Sequence, residues 1–189
     1  MESATCIVAL ACKGKVYIGG DSASSDDTSK ELSVLSNKKV FRFTDPQQNT
    51  WLVGFTGFYR FGQLLQYKFK FPEIVEEDAK DLLRCMVVKF IPELQTCLRE
   101  AGFEQKDKDR SIGGTCIVCI RGRIFNIGTN YSVQENAFPY DAIGCGSSFA
   151  FGSLYSTEKL TPEKRINLAL KAAEKFSTGV QSPFTVLHS

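Results

Sequence analysis

Two apolar strands stand close together near the start of the sequence: Thr5-Cys6-Ile7-Val8-Ala9-Leu10 and, after Lys13-Gly14-Lys15, Val16-Tyr17-Ile18-Gly19-Gly20-Asp21. A glycine in a short turn between two apolar runs predicts a β-hairpin. Thr5 heads the first strand and Asp21 ends the second, so we expect them to lie side by side. A threonine whose own α-amine is free can act as a nucleophile, because that amine accepts the hydroxyl proton.

The same pattern returns later in the chain. The segment 114–128 reads Gly-Thr-Cys-Ile-Val-Cys-Ile, then Arg-Gly-Arg, then Ile-Phe-Asn-Ile-Gly. It repeats both the Thr-Cys-Ile-Val run and the turn in which a glycine stands between two basic residues. Two similar hairpins separated by helical sequence predict two related sheets packed face to face, with helices outside them.

The remaining segments complete this order. Strands are predicted at 39–43 and 51–56 around the turn 45–49, and a last strand at 183–187. Residues 104–110 are mostly charged and predict a solvated loop. The predicted helices are 58–71, 78–101 with a bend near Pro92 and an end at Gly102, 147–156, and 161–176 with Thr161 as its N-cap.

Composition excludes several classes of protein. The chain has 189 residues, a net charge of +2, 43% hydrophobic and 23% charged residues, which is typical of a soluble globular protein. Its basic residues are dispersed, so nucleic acid is not an expected partner. No apolar run approaches the roughly 20 residues of a membrane helix, and residues 1–4 lack the features of a secretion signal. We therefore expect a cytoplasmic protein without a membrane partner.

The seven cysteines are interpreted as reduced thiols, most of them buried in apolar segments. Cys116 and Cys119 have the CxxC spacing, but residues three apart in a strand point to opposite faces and cannot share a metal. The sequence contains neither a second CxxC nor a pair of histidines. No metal and no cofactor are expected.

Candidates exist for each part of an N-terminal threonine hydrolase. An unperturbed α-amine has a pKa of about 7.7–8.0, which suits a general base at neutral pH. Lys39 heads a strand where Asp21 is expected to keep it charged. Gly57 lies in a turn between a strand and a helix, where main-chain N–H groups are available to stabilise an oxyanion.

These residues carry a family resemblance that spans nearly the whole chain. The motifs resemble proteasome β-type subunits, and most of all the bacterial heat-shock-locus V peptidase and its phage-borne relatives. The matching segments, in chain order, are Thr5–Val8, Ile18–Asp21, Lys39-Val40, Gly54–Gly57, Ala142–Gly146 and Gly146–Gly152.

The resemblance implies an α+β protein with the four-layer αββα sandwich of N-terminal-nucleophile hydrolases. Residues 5–189 would form one domain and residues 1–4 a propeptide. It also implies a threonine-type peptidase that cuts polypeptides inside a homo-oligomeric ring, served by an ATP-dependent unfoldase. Thr5 would be the nucleophile, Asp21 and Lys39 would tune it, the Gly57 N–H would form the oxyanion hole, and Cys145 would occupy the position of a supporting serine.

Four features depart from that family pattern. Thr5 is preceded by four residues ending in Ala4, whereas family propeptides usually end in glycine. Cys145 replaces the serine, and Ser177 stands where the family has a supporting aspartate. Phe58-Tyr59-Arg60 follows Gly57 where small residues are common, so bulky side chains are expected to narrow the cleft.

Alternative hypotheses follow from these departures. The first is a catalytically inactive relative that keeps the fold for assembly, as a ring or virion component. The second is an amidase acting on small molecules. Cys6 is a weaker candidate nucleophile, since Asp21 and Lys39 fit the position of Thr5 better. His188 lies too near the C-terminus to predict a Cys/His pair and is interpreted as a solvent-facing residue.

Overall fold

The computed structural model describes residues 4–25, 32–107 and 110–189. In chain order, its strands are β1 Ile7–Cys12, β2 Lys15–Gly20, β3 Ala23–Ser25, β4 Leu32–Val34, β5 Val40–Thr44, β6 Thr50–Thr56, β7 Gln105–Asp107, β8 Arg110–Ile112, β9 Thr115–Ile120, β10 Arg123–Ile127, β11 Val133–Gln134, β12 Tyr140–Ile143 and β13 Thr185–His188. The α-helices are α1 Tyr59–Tyr67, α2 Glu76–Lys80, α3 Leu82–Cys85, α4 Ile91–Glu100, α5 Ser147–Ser156 and α6 Pro162–Phe176.

Two antiparallel sheets form the centre of the molecule. The first has the strand order β12-β1-β2-β13, and the second has the order β11-β10-β9-β6-β5. β1 pairs with β2 so that Ile7 faces Gly20, which brings the residues just beyond the strand ends, Thr5 and Asp21, to the same edge. The last strand of the chain, β13, pairs with β2.

Alternation along the strands builds three apolar layers. On β1, Ile7 and Ala9 face the second sheet, whereas Cys6, Val8 and Leu10 face helices α5 and α6. The second sheet divides its residues in the same way between the sheet interface and the helices α1 to α4. Because both faces of each sheet are covered, the order of layers is helix, sheet, sheet, helix. The predicted αββα sandwich is confirmed.

The two repeated hairpins turn alike. Lys13 and Gly14 have φ angles of 50° and 77°, and Arg121 and Gly122 have 48° and 79°. Positive φ at both central residues is the two-residue turn that matches the twist of the flanking strands. A Cβ added at Gly122 would lie 3.0 Å from the Gly14 carbonyl oxygen, so the two turns pack against each other.

The helices differ from the prediction in extent. The helix predicted at 58–71 ends at Tyr67. The one predicted at 78–101 is interrupted at Asp81, and residues 86–90 form a π-helical turn in which the Ile91 N–H bonds the Met86 carbonyl, five residues back. The π-helical turn thus precedes Pro92. Proline has no N–H and therefore cannot donate the hydrogen bond to the residue four positions back that a regular α-helix requires. None of the helices among the described residues is long and apolar enough to cross a membrane.

The prediction of a loop at 104–110 is wrong. Gln105–Asp107 pairs with Arg110–Ile112 as a short hairpin, while residues 108 and 109 lie outside the described part of the chain. Antiparallel pairing satisfies backbone groups whatever the charge of the side chains, and the charged composition concealed it. A second short hairpin, β3 with β4, was not predicted.

A buried carboxyl group generates a test of this packing. Asp141 on β12 accepts hydrogen bonds from the Ala142 N–H and, at 3.4 Å, from Asn126 on β10, so it joins the two sheets. Burial raises the pKa of Asp141 above its ordinary 3.8. The folded state therefore holds this proton more tightly than the unfolded state, and its stability falls as pH rises through the raised pKa.

We expect D141N to gain stability over the native chain as pH rises from about 4 to about 8, with little difference at the acidic end. Urea unfolding midpoints across this range measure the difference. D45N is the control of opposite sign. Burial raises the pKa of Asp45, but hydrogen bonds from Asn49 and Trp51 outweigh that effect and lower it. Relative to the native chain, D45N should therefore lose stability as pH rises from about 2 to about 4, with no further change above that range. Urea midpoints extended to this acidic range measure the loss, and a change of both variants over the same pH window would contradict the assignment.

Candidate active site

Thr5 lies immediately before β1 and is only 2% exposed. Its hydroxyl oxygen accepts a hydrogen bond from the Lys39 ammonium at 2.9 Å, and the same ammonium donates to the Ala4 carbonyl at 2.8 Å. The Thr5 hydroxyl in turn donates to the Ala4 carbonyl. Lys39 therefore contacts both the candidate nucleophile and the carbonyl of the residue before it.

Asp21 holds Lys39 in place. The Lys39 Nζ lies 3.0 and 3.2 Å from the two carboxylate oxygens of Asp21. Main-chain N–H groups of Cys6 at 2.9 Å and Ala23 at 2.8 Å also donate to this carboxylate. The carboxylate is thus fixed by β1 on one side and by the start of β3 on the other, and it fixes the lysine in turn.

Burial changes the proton affinity of this lysine. The pKa of Lys39 is lowered from its ordinary value because burial disfavours the ammonium, and the charge of Asp21 only partly opposes that effect. The pairing expected from the sequence is present, and burial opposes the effect of Asp21 on the charge of Lys39. A lysine of lowered pKa exchanges a proton with a neighbouring hydroxyl more readily.

Glycines with positive φ shape the backbone around Thr5. Gly57 lies between β6 and α1 with φ of +92°, and no atom lies within 4 Å of where its Cβ would be. Gly144 has φ of +94°, and a Cβ there would collide with the Thr5 carbonyl oxygen. The Gly146 N–H bonds that same oxygen at 3.3 Å. The loop after β12 therefore closes on Thr5.

Cys145 and Ser177 meet next to Thr5. The Cys145 thiol lies 3.5 Å from the Thr5 carbonyl oxygen and 3.2 Å from the Ser177 hydroxyl. The two residues that depart from the family pattern thus contact each other. They form a thiol–hydroxyl pair at the Thr5 carbonyl, whereas Lys39 and Asp21 form the charged pair at the Thr5 hydroxyl.

Other candidates lie apart from this chemistry. Cys6 is fully buried against the helix layer, and burial raises the pKa of its thiol, which weakens it as a nucleophile. His188 is exposed at the end of β13, with its ring near Tyr17. Within residues 4–25, 32–107 and 110–189, no three His, Cys, Asp or Glu side chains cluster to hold a metal ion.

Sequence reasoning missed several groups that shape the site. Gly144 and Gly179 give room to Thr5 and to Ala4, respectively. The Gln181 N–H, far along the chain, also reaches Asp21 at 3.4 Å. For Gly144 and Gly179, the sequence offered only the presence of a glycine in a loop. The contact of Gln181 depends on the pairing of β13 with β2, which no local pattern reveals.

Two cavities are lined by chain neighbours of the candidate site residues. The first, here called the Lys38 cavity, has about 520 Å³ and is lined by residues on either side of Lys39, including Lys38, Phe41 and Arg42, and by Phe55 and Tyr59. The second, the Phe58 cavity, has about 500 Å³ and includes Gly57, Phe58, Phe103, Gly144 and Cys145 in its lining. The first cavity adjoins the candidate site through Lys38 and Val40, and the second through Gly57, Gly144 and Cys145.

Solved structures share the fold of this protein over nearly the whole chain. BPH from Thiobacillus denitrificans, in complex with epoxomicin, superposes with a TM-score of 0.76 at 20% identity, covering 97% of both chains. HslV from Trypanosoma brucei gives 0.65 at 19% identity, covering 97% of this chain and 98% of its own. Anbu from Yersinia bercovieri gives 0.67 at 16% identity, covering 97% and 80%. The chain has the fold of the proteasome-like N-terminal-nucleophile hydrolases.

This result confirms the resemblance found in the sequence at the level of the proteasome-like fold. The sequence itself matches no protein-family model and no curated protein. Identities of 16–20% to these three structures fix the architecture, while the chemistry of the site has to be argued from its own residues.

Because Lys39 and Asp21 form a buried pair, we expect substitutions at the two residues to have strongly coupled effects on the free energy of unfolding. K39M should lower the free energy of unfolding by about 3–5 kcal/mol, because it leaves the Asp21 carboxylate buried without its partner. The double variant K39M/D21N should lose much less than the sum of the two single variants. Denaturant unfolding of all four proteins measures this coupling.

Lys68 and Glu100 supply the matched control. Their charged atoms lie 3.9 Å apart, and their side chains are 42% and 63% exposed. The same cycle there should give a coupling of about 0–1 kcal/mol. Equal coupling in the two cycles would contradict the importance assigned to the buried pair.

Proposed function

We propose that the chain is a threonine-type peptidase subunit of a ring-shaped, self-compartmentalised protease, with Thr5 as nucleophile after removal of residues 1–4. One observation carries the proposal: the Lys39 ammonium, paired with Asp21, donates to the Thr5 hydroxyl at 2.9 Å in a buried site. A lysine that is held in place and readily deprotonated beside a hydroxyl is the setting in which threonine becomes a nucleophile.

Release of the Thr5 amine is the first step. The Thr5 oxygen attacks the Ala4 carbonyl carbon, the C–N bond of that peptide breaks, and the hydroxyl proton moves to the departing nitrogen. Water then hydrolyses the resulting ester and leaves a primary amine on Thr5. Lys39, which contacts both the hydroxyl and the Ala4 carbonyl, stabilises the charge that develops on the carbonyl oxygen.

Substrate cleavage repeats this chemistry on another chain. The free amine accepts the proton of the Thr5 hydroxyl as its oxygen attacks the substrate carbonyl. The Gly57 N–H donates to the oxyanion, and the lysine–aspartate pair stabilises the developing charge. The amine half of the substrate leaves, and water hydrolyses the acyl ester on Thr5. These steps require neither a metal nor a cofactor.

Polypeptides are the proposed substrates, and the ring and its partner follow from the fold. Two cavities, one lined by neighbours of Lys39 and the other by Gly57 and Cys145, suit an extended chain better than a small molecule. The proteasome-like fold covers nearly the whole chain, which supports assembly into a homo-oligomeric ring. An ATP-dependent unfoldase would deliver unfolded chains to such a ring, and the proposed location is the cytoplasm.

A catalytically inactive ring or virion component is the second candidate. The observation that favours it is the contact between Cys145 and Ser177, because this pair places no charge where the family resemblance implies a serine and an aspartate. An inactive subunit would keep the two sheets and their helices but would not release the Thr5 amine.

Hydrolysis of fluorogenic peptides separates the two candidates. T5A should lose at least about 1,000-fold in kcat/KM, because the attacking oxygen is absent. T5S should retain measurable turnover, since serine keeps both the hydroxyl and the α-amine. C6A is the neighbouring control and should retain most of the activity. Hydrolysis that survives in T5A, or its absence from the native chain, would contradict the peptidase proposal.

A further inference from the structure

Phe58 is an aromatic side chain left in solvent beside the nucleophile. It directly follows Gly57, is 70% exposed, and has one ring contact, with Phe103 at 6.2 Å edge to face. The sequence predicted that Phe58-Tyr59-Arg60 narrows a single cleft. Instead, Phe58 lines one cavity and Tyr59 lines the other, so this segment separates two spaces.

Among the residues whose side chains the structure describes, the lining of the Phe58 cavity contains no charged one. Phe58 and Phe103 form its aromatic wall, and Thr115, Asn126 and Thr129 form an uncharged polar wall. Asn126 in the polar wall donates to the buried carboxylate of Asp141 at 3.4 Å. Among the described lining residues, an acidic side chain entering this space would meet no cation to replace its water.

The cavity is continuous with the site around Thr5. Gly57, Gly144 and Cys145 all line it, and the last two are the residues that close on the Thr5 carbonyl. The Lys38 cavity lies on the side of Lys39 and carries Lys38 and Arg42 in its lining. The lining of the Lys38 cavity is therefore basic, whereas the described lining of the Phe58 cavity is aromatic and polar without charge.

We propose that the Phe58 cavity is a substrate subsite that binds an uncharged aromatic or large aliphatic side chain, on the opposite side of the scissile bond from the residue held in the Lys38 cavity. This inference rests on the proposed peptidase function and adds a specificity to it. Phe58 is the specificity-determining residue, because its exposed ring gains a partner when a substrate ring enters.

Phe58 should therefore give the cavity a preference for phenylalanine over aspartate. A phenylalanine in the cavity buries apolar area against Phe58 and Phe103, whereas an aspartate would lose hydration without compensation. Loss of one aromatic contact corresponds to about a 3- to 10-fold weaker dissociation constant. Replacing Phe58 with a cation should turn the preference toward acidic peptides.

Binding to the full-length T5A protein tests this without turnover. The probes are two fluorescein-labelled, otherwise glycine-rich peptides that differ only in a central phenylalanine or aspartate, measured by fluorescence anisotropy. The phenylalanine peptide should bind about 10-fold tighter. Adding F58A should weaken it about 3- to 10-fold, and adding F58K should favour the aspartate peptide.

Phe176 supplies the matched control, since it is 68% exposed and also has one ring contact, with Phe149 at 5.6 Å. F176A should leave both dissociation constants unchanged. Equal binding of the two peptides, no saturable binding, or the same weakening by F176A would overturn the inference. Because T5A cannot cleave, this result is independent of peptide hydrolysis by the native chain. Cleavage without selective binding would refute only the subsite, and selective binding without cleavage would refute only the peptidase proposal.

Discussion

The ion pair between Lys39 and Asp21 is the interaction on which the site depends. Two charges removed from water are stable only when hydrogen bonds surround them, and here the main chain of β1 and β3 supplies those bonds to Asp21. The pair therefore requires the hairpin register that places residues 5 and 21 at one edge. It also requires β5 to begin where Lys39 can reach that edge. In return it holds an ammonium against the Thr5 hydroxyl.

A thiol and a hydroxyl meet at the Thr5 carbonyl. The Cys145 thiol contacts both that carbonyl and the Ser177 hydroxyl, whereas the charged groups that the described contacts bring to the Thr5 hydroxyl are Lys39 and, through it, Asp21. Whatever tuning the Thr5 amine receives must then come mainly from that pair, whose lysine already has a lowered pKa. The thiol and the hydroxyl position the backbone of the loop after β12. This asymmetry distinguishes the chain from the pattern that its sequence resembles.

Much of the architecture was predictable because it depends on local patterns. Alternating apolar residues and a glycine turn revealed both long hairpins, and their ends placed Thr5 beside Asp21. The breaks of the second helical segment at Asp81 and at residues 86–90 were not predictable. Pro92 indicated that the helix is distorted but not where the distortion lies. The hairpin at 105–112 was concealed by its charges. The close contacts of Gly144 and Gly179 and the two cavities form where distant strands and loops meet. A pattern of neighbouring residues does not predict such contacts.

The account joins these features into one claim, that the lysine–aspartate pair activates the Thr5 oxygen against the peptide bond before it. The intact mass of the natively produced protein tests this most directly. The account predicts a chain that lacks residues 1–4 and begins at Thr5, whereas T5A and K39M keep all four residues. A native chain that retains residues 1–4, or a K39M chain that loses them at the native rate, would contradict it.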